Sequence, residues 1–183
     1  MDVKDIDLGW NKIVQELQEL KDKEVAVGIQ ADEVNSDGKN LAYIGAVHEF
    51  GKDIEVTDKM RSYLHVQGLH LKKTTKVIKI PQRSFLREAI DENEIEINSL
   101  EDKLLDQVIA GRISSKQALE SIGNTVQGLV QQRIADGIQP GLHPFTIQQK
   151  TVHGKKGTTP LIGSGHLRQS IRYKIRTRGS SDE

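Results

Sequence analysis

Between Phe85 and Asp136 apolar residues recur at intervals of three and four, and this pattern constrains the fold more than any other part of the chain. Ile97, Leu100, Leu104, Leu105 and Val108 form one stripe, on a helical segment that follows Arg83-Ser84-Phe85-Leu86-Arg87 and extends to about residue 110. Leu119, Ile122, Val126, Leu129 and Val130 form a second, running to Asp136-Gly137. Gly111 separates them, and Ser114 stands three residues before Gln117, the spacing of a capping box. A helix with one apolar face must cover it, so the two are expected as an antiparallel pair lying on a sheet.

The remaining segments supply that sheet and its connections. Trp10, Ile13, Val14, Leu17 and Leu20 give an amphipathic helix over residues 8–22, and Val25, Val27 and Ile29 alternate as a strand over 24–30. A loop at Asn35-Ser36-Asp37-Gly38 leads to a short helix carrying Leu41, Ile44, Val47 and His48, which Gly51 can stop in a left-handed conformation. Over residues 52–80 the pairs Ile54/Val56, Leu64/Val66, Leu69/Leu71 and Ile78/Ile80 alternate with polar residues, predicting a protruding β-hairpin arm closed by Pro81. Residues 139–165 have the Gly and Pro content of a loop, and Ile171, Tyr173 and Ile175 alternate as a final strand. The expectation is a single α+β domain over residues 1–183. It has a small antiparallel or mixed sheet packed with helices, two of them long, and a β arm.

Apolar residues make up 36% of the chain and aromatic ones 4%, so the core is lean and a partner can supply part of the burial. Lys plus Arg and Asp plus Glu are equal at 26 each, which removes any bulk field toward nucleic acid or membrane. The sequence contains no apolar run of membrane-spanning length, and its N-terminal residues lack a signal-peptide pattern, so synthesis and residence in the cytoplasm are expected. Absence of cysteine excludes disulfides and thiolate chemistry. Charge is nevertheless sorted locally. Eight acids lie between Glu88 and Asp106 against Lys103 alone, and eight basic residues lie between Lys150 and Arg178 with no acid. Such opposed patches can satisfy each other across a head-to-tail interface.

Residue patterns for catalysis are missing. His48-Glu49 begins like a zinc helix motif, but the position four residues after His48 is Lys52. The six histidines have no ligand spacing; His65 and His70 can meet across the arm without making a site. Gly163-Ser164-Gly165 lacks the residues of a phosphate loop, and Ser164, flanked at two residues by Ile162 and His166, lacks the context of a nucleophile elbow. The acids from Glu88 to Glu96 lie on several helix faces rather than converging on a cation. No catalytic, cofactor or metal site is expected, and the chain is read as not an enzyme.

Ile44-Gly45-Ala46-Val47-His48-Glu49-Phe50-Gly51 resembles a hallmark segment of bacteriophage tail-completion or head–tail joining proteins, the neck and virion-morphogenesis family of Mu-like phages and siphophages. Ile80-Pro81-Gln82-Arg83-Ser84-Phe85-Leu86-Arg87 is similar to a second segment, in which the family usually has Pro where Ser84 stands. His143 to Lys150 is similar to a third. Pro160 to Ile171 is similar to a fourth, with Gly163 and Ser164 in place of the usual Asp and Thr. The segments occur in the family's order and span about residues 25–175. The resemblance implies a structural α+β virion subunit, assembled in the bacterial host cytoplasm into a homo-oligomeric ring, a hexamer being one allowed size. It implies head connector or adaptor proteins on one side and tail terminator or tail tube proteins on the other, and no cofactor. Phe50 and Phe85 are expected to anchor loops to the core. Arg83 and Arg87 are expected to pair with Glu49 or with a neighbouring subunit beside His48. Arg168, Arg172, Lys174 and Arg176 are expected to meet a neighbour or DNA in the channel. The alternative is a DNA-binding packaging or connector-lumen protein using that basic segment.

Overall fold

A computed structural model describes residues 9–30, 33–34, 38–152 and 158–179. Among these the order is α1 (Trp10–Asp22), β1 (Lys23–Ile29), α2 (Leu41–Phe50), β2 (Lys52–Glu55), α3 (Asp58–Val66), β3 (Val77–Ile80), α4 (Phe85–Asp91), α5 (Glu94–Ile109), α6 (Ser115–Asp136), α7 (Pro144–Val152), α8 (His166–Gln169) and β4 (Ile171–Thr177). The fold is α+β, with two antiparallel sheets of two strands, β1–β4 and β2–β3. Packing divides the chain into two compact units, each assembled from segments distant in sequence.

The first unit draws on residues up to Gly28, Ile90–Leu129 and the segment from Arg172. Its centre is Leu104, Val108 and Ala118, with Leu20, Leu100, Ile113 and Ile122 packed around them, so the α5 and α6 stripes face each other and α1 covers one side. The α6 start is fastened twice. Ser114 Oγ accepts from Gln117 N at 3.2 Å and Gln117 Oε1 accepts from Ser114 N at 2.9 Å, a complete capping box. From α1, Glu16 accepts the Ser115 amide at 2.6 Å and Glu19 accepts its hydroxyl at 2.9 Å. The hydrogen bonds from Ser115 hold the Glu16 carboxyl below its ordinary range. Across the β1–β4 sheet, Arg176 Nε meets Glu24 Oε1 at 2.7 Å.

The second unit comprises Ile29–Ala89 and Val130–Ile171. Phe85, Val130, Ile134 and Ile171 are fully buried there, beside Ala89, Leu41, Ile138 and Leu167. The arm departs from a pure β-hairpin. Lys52 to Glu55 pair with Ile80 to Val77 as a two-stranded stalk, but residues 58–66 form α3. Thr57 Oγ1 caps it by accepting from Met60 N at 3.2 Å, and Asp58 sits in the first turn, where a negative charge suits the helix dipole. Met60 and Leu64, four apart, are its half-buried apolar pair, whereas Val66, read as a strand residue, is 82% exposed. Arg61 ties the returning loop to α3 by donating to the carbonyls of Leu71, Lys72 and Thr75 at 3.3, 2.9 and 2.7 Å.

Three other boundaries differ from expectation. The segment from Phe85 to residue 110 is two helices, α4 and α5, broken at Glu92-Asn93. The Gly/Pro-rich stretch 139–165 contains α7, because Pro144 suits a first helical position and His143 Nδ1 accepts from Phe145 N at 3.2 Å. Residues 153–157 of that stretch, and 35–37 of the earlier loop, lie outside the described residues. Gly51 has positive φ, 74°, but an extended ψ of 167°, so it leaves α2 without a left-handed cap.

Replacing Ser114 with Ala removes one half of the box and is expected to cost about 0.5–2 kcal/mol in urea denaturation. A loss within the roughly 0.5 kcal/mol of an ordinary surface change would mean the box does not hold α6.

Candidate functional site: a buried carboxylate that joins the motif segments

Leu41, Gly45 and Glu49 are spaced by four, share one face of α2, and are all buried. A carboxylate carried inward on that face needs donors. Glu49 finds them at the first turn of α4, whose leading amides have no partner within their own helix. Leu86 N donates to Oε2 at 2.9 Å and Arg87 N to Oε1 at 3.2 Å. The return contacts close the junction. Ser84 Oγ donates to the Glu49 carbonyl at 3.0 Å, and Arg83 N donates to the His48 carbonyl at 2.7 Å. The carbonyl end of α2 and the amide end of α4 thus satisfy each other, and the α4 start receives the negative charge that a helix N-terminus prefers.

Two glycines permit the approach. A Cβ on Gly45 would lie 2.5 Å from Ile29 Cδ1, so that side chain would have to shift, and in ordinary contact with Phe85 Cζ and Leu167 Cδ1. At Gly51 a Cβ would meet Gln82 N at 3.0 Å and Ile80 O at 3.1 Å, main-chain atoms that cannot swing aside, and φ is positive.

Arg83, 5% exposed, extends the junction. Its Nε and Nη2 donate to the carbonyls of Pro140 and Gly141 at 2.8 and 2.9 Å. Burial lowers its pKa from the ordinary arginine range but leaves it a cation. Lys150 Nζ, from α7, donates to the carbonyls of Thr159 and Ile162 at 2.9 and 2.6 Å. All four motif segments therefore meet in one unit: α2 through Gly45 and Glu49, the α4 start through Arg83 to Arg87, α7 through Lys150, and the 160–171 segment through Ile162 and Leu167.

His48 sits at the edge of this junction with Nδ1 buried and unpartnered. Desolvation first, and the nearby Arg83 charge second, push its pKa below the ordinary 6.5.

The expected residues separate into those the junction uses and those it does not. Phe85 is fully buried, as an anchor should be, whereas Phe50 is 68% exposed and anchors nothing. Neither arginine pairs with the Glu49 carboxylate: Arg83 turns to carbonyls, and exposed Arg87 offers only its backbone amide. Arg168 is exposed on α8, and Arg172 and Lys174 are exposed on β4, while Arg176 is half-buried against Glu24. His65 and His70 do meet, Nδ1 to Nδ1 at 2.7 Å, and among the described residues no three His, Asp or Glu converge as a metal cluster. Ser84 and Lys150 were missed as functional residues; only the even spacing of Leu41, Gly45 and Glu49 signalled an inward carboxylate. The polar side chains Glu49, Arg83, Ser84 and Lys150 all bind main-chain groups, so the arrangement fixes backbone shape. No family model matches the chain, and no curated protein or solved structure is significantly similar to it.

Glu49→Ala should destabilise the fold by about 2–4 kcal/mol, since two partly buried amides each lose their acceptor at roughly 1–2 kcal/mol, the lower part of the range for buried groups. Chemical denaturation measures this; a loss under about 1 kcal/mol would mean water replaces the carboxylate. For His48 the sign follows from its lowered pKa. Below about pH 6.5 the unfolded chain takes up a proton that the folded one resists, so the stability tied to neutral His48 is present above that pH and lost as pH falls. Urea midpoints at about pH 7.5 and pH 5.5 should therefore diverge more for the wild type than for His48→Gln. Equal pH dependence would remove His48 from the acid response.

Proposed function

We propose that the chain is a structural subunit of a tailed-bacteriophage particle, a tail-completion or head–tail joining protein acting as one member of a homo-oligomeric ring between head connector and tail. The observation that carries this is the convergence of the four motif segments. The first two supply Gly45, Glu49, Gly51, Arg83 and Phe85, and the last two, about a hundred residues further on, join them through Lys150, Ile162 and Leu167. Four unrelated short matches would have no reason to meet, so their meeting supports a resemblance to a built structure. A site made of side chains gripping main chain also suits a subunit that works by shape.

The second reading, a DNA-binding packaging or lumen protein, draws on the exposed Arg168, Arg172 and Lys174. It is weakened by Lys150 and Arg176, which are engaged within the chain. In a ring these exposed cations would face passing DNA without reading its sequence.

Particles assembled without this chain should accumulate as DNA-filled heads beside separate tails in electron micrographs, and adding the purified protein should join them. Joined particles at normal yield without it would end the proposal. Retention on duplex DNA that weakens steeply with salt, with no oligomer at any concentration, would favour the second reading.

A further inference from the structure

From Lys59 to Lys79 the chain carries six basic side chains, two histidines and no acid. Arg61 is used internally and Lys79 pairs with Asp53 on the stalk, but Lys59, Lys72, Lys73 and Lys76 are exposed and make no ion pair among the described residues. The helix at the tip adds apolar surface. Lys59, Tyr63 and Val66 follow one another at steps of four and three along the outer face of α3, with Tyr63 63% and Val66 82% exposed. Three carbonyl contacts from Arg61 hold this tip in shape before any partner arrives, which reduces the ordering cost of binding.

A surface of the opposite character lies on α5. Ile97, Leu104 and Val108 face the core, and the opposite stripe reads Ile95, Asp102, Asp106 and Ile109, with Ile95 87% and Ile109 46% exposed. Exposed helix faces are ordinarily polar, so two faces that each combine exposed apolar side chains with a predominance of one charge, basic after Asp58 on the arm and acidic apart from Lys103 on α5, are complementary in both respects. Like signs prevent arm from meeting arm, or α5 from meeting α5.

We propose that the helix-tipped arm of one copy docks on the C-terminal half of the α5 stripe of the next, a head-to-tail contact in which Tyr63 and Val66 pack near Ile109 while the arm lysines face Asp102 and Asp106. The proposal rests on the ring reading and names its contact. It moves the basic partner of the acidic helix from the C-terminal segment to the arm. Duplex DNA fits the arm less well, because Val66 has no use on a phosphate backbone and the apolar α5 stripe would stay uncovered.

The test uses two charge-reversed full-length chains, one with Lys59, Lys72, Lys73 and Lys76 changed to Glu, the other with Glu94, Asp102 and Asp106 changed to Lys. Circular dichroism and thermal melting verify that each is folded, and Val66→Ser, which alters no charge, is measured beside them. In sedimentation velocity at low salt the wild type should associate. Each reversed variant alone should associate at least about a hundredfold more weakly, and Val66→Ser should weaken association too. An equimolar mixture of the two reversed chains should associate again, because every arm then meets an α5 of opposite charge. If the wild type associates and the reversed variants associate equally well, or the mixture stays apart, the arm contact is wrong while the ring reading survives. A wild type that remains single at every concentration overturns both. An arm variant that assembles normally but loses salt-sensitive retention on duplex DNA overturns the proposal in favour of nucleic acid.

Discussion

The second unit depends on one carboxylate taken out of water. Glu49 is 4% exposed, and a charge so placed would oppose folding if it were not met by donors. It is met by the amides of Leu86 and Arg87, at the end of α4 that carries partial positive charge. Capping is usually local, and Ser84 stands where the α4 cap would be; its hydroxyl instead donates back to the Glu49 carbonyl. The cap has been moved to a residue 35 positions earlier, which turns a helix end into a long-range constraint. Gly45, Gly51 and the burial of Phe85 then follow, since each is needed for α2 to lie close enough to deliver the carboxylate.

A lean core makes such contacts weigh more. With aromatics at 4% of the chain, Phe85 is the largest side chain wholly buried among the described residues, and aliphatic stripes supply the rest. Aliphatic packing is permissive about registry, because residues of similar volume exchange at small cost. Directional contacts of Glu49, Arg83 and Lys150 to main-chain groups select one arrangement, and α1 does the same for the first unit by placing Glu16 and Glu19 at the α6 start.

What could be read from the sequence was whatever neighbouring residues decide. The two apolar stripes, apart from the exposed Leu105, the Ser114–Gln117 box and the strands over Val25 to Ile29 and Ile171 to Ile175 depend on residues within a turn or two of each other, and these reappear in the structure. β1, however, is half-buried along its whole length rather than on alternate residues. The arm was misread where two periodicities overlap. Leu64 and Val66 alternate as a strand would, but Met60 and Leu64 also share a helix face, and the Thr57-Asp58 start favours the helix. α7 was hidden by the glycines and prolines around it, although Pro144 is a residue that starts helices. The Glu49 junction was not legible, because the partners of its carboxylate lie 37 and 38 positions away and are backbone amides, identical in every residue. Pairing Glu49 with Arg83 or Arg87 followed charge; the structure follows the unsatisfied helix end.

The sorting of charge has a consequence of its own. A chain with 26 positive and 26 negative side chains has no net field, and at physiological salt a local patch acts only over about 8 Å. Segregated patches then contribute little to distant capture and much to orientation at contact. Patches of one sign cannot face their own copies without repulsion, so arm against α5 is the pairing that charge allows, and the ring proposal takes its head-to-tail form. Contacts between unlike surfaces repeat from copy to copy, and they end only when the rotation between neighbours closes a circle. In the proposed ring, the directional bonds around Glu49 would fix the shape of the unit that carries the arm, which aliphatic packing alone would leave less well defined.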